Sequence, residues 1–170
     1  MVEGLTKREP GAASDILLLR WWQQMVEDGE LLEVFGDCVA TPSGFLSVFA
    51  DTRTTLYYTA DENGIGLALW YEPFMGNTAL GMWGRKDWRK RRWWDALKAT
   101  LAEQLETFPM IIAMTRNRNL VVAGPEMGFV KLGQVPYLYR GDTCDILYCT
   151  RESFAAKHGP KEQPSGQSSG

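Results

Sequence analysis

Residues 84–106 read GRKDWRKRRWWDALKATLAEQLE, with six basic residues and three tryptophans in the first eleven positions. Further in, Trp94, Leu97, Leu101 and Leu105 recur at three- and four-residue steps, which predicts a long helix with one apolar stripe. Upstream of it, TTLYYTA, GIGLALWYEPF and TALGMWG are rich in β-branched and aromatic residues and are parted by the turn sequences ADENG and MGN. They predict a meander of three antiparallel strands. Downstream, FPMIIAMT is a short, unbroken apolar run, as a central strand buried on both faces should be.

Working outward, LTKRE reads as a short first strand, and Ser14-Asp15 offers an N-cap for the helix ILLLRWWQQMVEDG, which Gly29 stops. ELLEVFGD reads as a second short helix ended by Gly36. Residues 40–47 are ambiguous, with TPSG reading as a turn. Past the central strand, RNRNLVVAGPEMGF is a short helix closed near Gly128, and VKLGQVPYLYR and DILYCTRE form a hairpin about Gly141-Asp142. The order β-α-α-β-β-β-α-β-α-β-β implies an α/β fold, a mixed sheet with helices on both faces.

The 170-residue chain suits one domain, and 45% apolar residues suffice for one core. That domain spans residues 1–154. Residues 155–170, ending GPKEQPSGQSSG, have a disordered composition. Net charge is −3, so any nucleic-acid role must come from a local patch. Runs such as IGLALW are far shorter than the ~20 residues that span a bilayer, and the first fifteen residues lack a signal-peptide layout, so a soluble cytoplasmic protein is expected. Cys38, Cys144 and Cys149 form no CxxC pair, and the last two fall on opposite faces of one strand as packing residues. The single histidine, His158, lies near the C-terminus, which argues against Ser–His or Cys–His catalysis and against a zinc site.

Cations at a helix N-terminus oppose the helix dipole by about 0.3–1 kcal/mol each, so Arg85, Lys86, Arg89, Lys90, Arg91 and Arg92 raise three readings. They form a solvated helix start, they hold the phosphates of a coenzyme, or they contact nucleic acid with Trp88 and Trp93 stacking on bases. Trp94, on the leucine stripe, is expected in the core, and Trp83 and Trp88 are candidates to line a groove. Of the adjacent Trp21 and Trp22, one should pack inside.

This order, and the last third of the chain above all, resembles the GNAT (GCN5-related) N-acetyltransferase superfamily. The family's closing pattern is an Asn, an Ala three on, a Tyr seven on and Gly-Phe eleven and twelve on. Asn117 is followed at those steps by Leu120, Gly124, Gly128 and Phe129, matching at Asn, Gly and Phe. The resemblance spans roughly residues 4–152 and implies a GNAT-like seven-stranded mixed sheet that splays between its fourth and fifth strands. The family's Gln/Arg-x-x-Gly-x-Gly/Ala loop, which cradles the acyl-CoA pyrophosphate on backbone amides, falls on residues 89–94. Arg89 matches; Arg92 and Trp94 stand where small residues belong, so the loop is eroded.

The resemblance implies an acyl-CoA-dependent N-acyltransferase using acetyl-CoA or another acyl-CoA as co-substrate, with no metal. It implies acyl-CoA contacts from Met82, Trp83, Gly84, Arg85, Arg89, Arg91, Arg92 and Asn117, a β-strand amide near residues 82–85 polarising the thioester. Glu72 is the candidate general base. Tyr139, with Tyr137, is the substitute for the acid that the family draws from the position occupied here by Gly124. The chain is also similar to GNAT-like proteins of short-tailed bacteriophages, some of them internal virion proteins. The alternative that likeness implies is a non-catalytic protein with a degenerate active site, binding DNA, virion or host proteins, in the host cytoplasm or the virion.

Overall fold

The computed structural model describes residues 4–9, 11–35, 41–88, 93–136 and 143–159. A seven-stranded sheet has the order β1-β2-β3-β4-β5-β7-β6. Its strands are β1 (Thr6–Lys7), β2 (Thr55–Asp61), β3 (Gly64–Phe74), β4 (Asn77–Gly84), β5 (Met110–Thr115), β6 (Val130–Pro136) and β7 (Thr143–Thr150). All neighbours are antiparallel except β4 and β5, which run parallel and are joined through a helix, as a parallel pair requires. The meander, the central strand and the closing hairpin thus stand where the sequence places them. The hairpin turn expected at Gly141-Asp142 lies outside the described residues.

Helices α1 (Ala12–Glu27), α2 (Leu31–Phe35) and α3 (Pro42–Ala50) cover one face of the sheet. Beneath them lies an aromatic core in which Trp21 meets Phe45, Phe49, Trp70 and Trp83, all buried. The other face is covered by α4 (Trp93–Thr107) and α5 (Arg118–Ala123), over Leu67, Leu69, Leu80, Ile111 and Leu147. Leu97, Leu101 and Leu105 are buried on the predicted stripe of α4. Two buried hydrogen bonds tie α4 down: Tyr71 Oη to Thr100 Oγ1 at 2.8 Å, and Gln104 Nε2 donating to Tyr57 Oη at 2.9 Å. Each satisfies polar groups that would otherwise be costly to bury. Trp21, not Trp22, is the tryptophan of that pair that packs fully inside.

Four local expectations are corrected. TPSG is not a turn but the start of α3: Thr41 Oγ1 accepts from the Gly44 amide at 3.1 Å, and Pro42 occupies the first turn, where its missing N–H costs nothing. Helix α1 starts at Ala12, not at Ser14-Asp15, because Arg8 donates to both Ser14 Oγ and Asp15 Oδ1 and takes those side chains away from capping. Among the described residues the long helix runs from Trp93, and Arg85 and Lys86 stand well before it in a turn that the Trp88 amide closes on Arg85 O. The strand through DILYCTRE stops at Thr150, which caps a further helix, α6 (Arg151–His158), in a capping box with Ser153. That helix continues past residue 154.

Candidate functional site

Strands β4 and β5 pair only at Thr78–Ile111 and Ala79–Ile112, and then part. The gap opens into a cleft of about 970 Å³. One wall is the β4 edge from Leu80 to Gly84, and the facing wall is the end of β5 with the turn into α5. Trp93 and Trp94, opening α4, close one side; Glu30, Glu33 and Val34 at α2 close the other. Leu80, Gly81, Met82 and Trp83 have no register partner on β5, so this length of β4 is a strand edge facing a cavity. A strand edge of that kind can hydrogen-bond an extended ligand.

Met82, Trp83, Gly84 and Asn117 all line the cleft. Asn117 is also the N-cap of α5, its Oδ1 accepting from the Asn119 amide at 2.9 Å. Arg85 is elsewhere. Its guanidinium donates to Asp61 Oδ2 at 2.6 Å and to Asp87 Oδ1 at 2.7 Å, and its backbone amide bonds Gly66 O. These bonds hold both carboxyls below the usual carboxylate range and raise the guanidinium. Trp88 lies over Gly66, donates to Asp61 Oδ2 and is not among the residues lining this cleft. Arg85 and Trp88 therefore lock the end of β4 onto the β2–β3 hairpin. Glu72 pairs with Ala79, where β4 still reaches β5, and is not part of the cleft lining. It is half-buried, and burial raises its carboxyl. Arg89, Arg91, Arg92, Tyr137 and Tyr139 lie outside the described residues.

Trp93 and Trp94 are partly buried against the core and face the cleft at once, so Trp94 serves both surfaces. Arg116 and Arg118 give the wall at α5 two cations that the sequence did not single out. Glu30 was missed as well. It accepts from the buried Trp83 indole Nε1 at 2.7 Å, a pair separated by 53 residues. Among the described residues no group of three His, Cys, Asp or Glu side chains could hold a metal ion, and no helix is long and apolar enough to cross a membrane.

The architecture is similar to that of ribosomal-protein-S5-alanine acetyltransferase from Vibrio fischeri, at 14% identity over 91% of this chain and 97% of that one, with a TM-score of 0.68. It is also similar to spermidine N-acetyltransferase from Vibrio cholerae, solved with CoA and spermine, at 12% identity over 89% and 98% of the chains, TM-score 0.69. The fold is the GNAT fold. An aminoglycoside acetyltransferase solved with coenzyme A shares it, at 13% identity, 91% and 99% coverage and a TM-score of 0.64. No family model matches the sequence, nor does any curated protein. In GNAT terms, the cleft stands at the splay expected between the fourth and fifth strands. Of the two positions at which the expected phosphate loop has small residues, Trp94 lies in the first turn of α4 and Arg92 lies outside the described residues.

Proposed function

We propose that this chain is an acyl-CoA-dependent N-acyltransferase that works in the cleft between β4 and β5. The observation that carries the reading is the parting of those strands after Ala79, which presents a strand edge to a cavity large enough for an extended ligand. Two similar folds were solved with coenzyme A. The pantetheine arm would lie along Leu80 to Gly84, with an amide of that edge polarising the thioester carbonyl. Arg116 and Arg118 would meet phosphate as side-chain cations, in place of glycine-exposed amides at the start of α4. The acceptor is an amine, whose nitrogen attacks the thioester carbon.

The alternative, a non-catalytic protein that binds DNA or virion partners, loses Arg85 and Trp88 to Asp61 and Gly66. It then rests on residues 89–92. Titration with acetyl-CoA separates the two. Ligand at 100 times its Kd should stabilise the fold by about 2.7 kcal/mol, read as a rise in Tm or directly by calorimetry. Absence of any shift at millimolar acetyl-CoA overturns the acyltransferase reading.

A further inference from the structure

Register partners in a sheet share a face, and neighbours along a strand alternate. Trp83 belongs to the core beneath α1–α3, so Ala79, four residues before it on β4, and its β5 partner Ile112 point to that same side. The pairing carries this face outward. Ile112 and Met114 stand beside Tyr148 and Ile146 on β7, which stand beside Val130 and Gly133 on β6. The core under α1–α3 draws its strand residues from β2, β3 and β4, whereas α4, α5 and α6 pack on the opposite side. Among the described residues, then, no helix covers this side of β5, β7 and β6. It is apolar: Ile112, Ile146, Tyr148 and Val135 are half-buried, Met114 is 56% exposed and Val130 41%. The two charged residues of these strands, Lys131 and Asp145, pair with each other on the other side. At Met114 the face runs into the cleft, whose wall Met114 also forms.

Size decides what can lie there. Three strands about 4.8 Å apart, with about six residues each, make a patch of roughly 200–300 Å². A stable protein interface takes about 800 Å² from each partner, so the patch is too small to hold a second copy of the chain. An alkyl chain, about one strand wide, would leave most of it bare. From Met114 to β6 is two strand spacings, about 10 Å, the reach of three extended residues with side chains to spread over the strands. We infer that the acceptor is the N-terminal amine of a peptide whose next three residues are apolar, and that those residues lie across β5, β7 and β6 on this face; the inference rests on the acyltransferase reading above. Leaving Met114, the peptide crosses Ile146 and reaches Gly133, where a Cβ would meet nothing within 4 Å and a side chain of the peptide has room. These strands offer no carboxylate on this face, so the extra ammonium and hydroxyl groups of a polyamine or an aminoglycoside would be desolvated on it without compensation. The neutral amine nitrogen bonds the thioester carbon, and the C–S bond breaks with its electron pair going to sulfur. The proton that nitrogen sheds ends on the CoA thiol.

The test measures thiol release from acetyl-CoA on wild type and Val130→Lys. The acceptors are Ala-Ile-Leu-Val amide, Ala-Ser-Glu-Ser amide, octylamine, spermine and ribostamycin. Val130 is exposed on β6, two strands away from the cleft wall, so the variant should fold and bind acetyl-CoA as wild type does. Wild type should favour the apolar peptide over every other acceptor by about 10-fold or more in kcat/KM, the worth of burying one aliphatic side chain. Val130→Lys should raise KM for that peptide by a similar factor, leaving its kcat and the polar peptide's kcat/KM unchanged. Equal or better turnover of the polar peptide, spermine or ribostamycin overturns the inference while the acyltransferase reading stands. So does octylamine matching the apolar peptide, or an unchanged KM in Val130→Lys. Wild type that sediments as a dimer, with Val130→Lys a monomer, places a second copy on the face and overturns the inference as well. Acetyl-CoA binding with transfer to none of the five acceptors has the same meaning, and wild type that binds no acetyl-CoA overturns both. If Val130→Lys does not fold, the wild-type ranking of acceptors decides alone.

Discussion

Replacing Gly81 by alanine should loosen the whole aromatic face of the sheet. Trp70 and Gly81 are register partners on β3 and β4, and the Trp70 ring folds across its partner, so that a Cβ on residue 81 would stand 2.0 Å from ring carbon Cε2. Ordinary contact needs about 3.5 Å, so the ring must withdraw by roughly 1.5 Å. It has little room to do so: it stacks on Phe35 at 4.7 Å and meets Trp21 edge-on at 5.9 Å. Overpacking of this kind costs about 1–3 kcal/mol, and the rigid bicyclic ring places it in the upper half. Alanine also stiffens the unfolded chain, a gain of about 0.4–1 kcal/mol that offsets part of the loss. A net loss of about 1–2.5 kcal/mol remains, or a Tm lower by about 2–10 °C at this chain length. Gly133, on β6, makes the comparison: a Cβ there meets nothing within 4 Å. Gly133→Ala should be neutral or slightly stabilising, the opposite sign. Urea unfolding followed by tryptophan fluorescence reads both, provided the m-value holds. A Gly81→Ala midpoint at or above that of wild type would mean that Trp70 does not lie on Gly81, and the packing argument would fail.

Two further expectations concern stability. Thr41→Ala removes the N-cap of α3 and should cost about 1 kcal/mol, seen as a lower urea midpoint; an unchanged midpoint would return TPSG to a turn. The Arg85 lock should be sensitive to acid. Asp61 is held below its ordinary value by Arg85, so its contribution is present above the unfolded carboxyl value, about 3.9, and is lost as pH falls through the folded one. The Tm gap between wild type and Asp61→Asn should therefore be full at pH 7 and shrink below about pH 4. A gap that stays constant down to pH 2 would show that the ion pair carries none of it.

How far the sequence discloses this molecule depends on the range of the interaction concerned. Strand and helix periods are local, and β2 to β5 and α4 stand where alternation and the leucine stripe put them. Boundaries failed where a side chain was drawn off by a partner the pattern does not contain. Ser14 and Asp15 look like a cap until Arg8 binds both. Thr41 was read with its neighbours as a turn because turns and helix starts share the same residues. Helix α6 was missed because its capping box uses serine at the third position instead of glutamate, and it buries no residue of its own.

The site shows the same division more sharply. Met82, Trp83, Gly84 and Asn117 reached the cleft because they occupy fixed steps on strand and helix ends, which the fold places by backbone alone. Arg85 did not, since Asp61 claims it from 24 residues away, and Glu30 stayed hidden because its partner is 53 residues distant. The bulk of three tryptophans is accommodated in a similar way. Small residues are present, but in the strands: Trp70 lies on Gly81, Trp88 on Gly66, and Trp93 against Gly84, where a Cβ would stand 2.8 Å from the indole nitrogen. Glycine that would expose backbone to phosphate in the loop instead makes room for rings beside the cleft. The bulk of Trp93 and the bare backbone of Gly84 are therefore one arrangement at the edge of the cleft between β4 and β5.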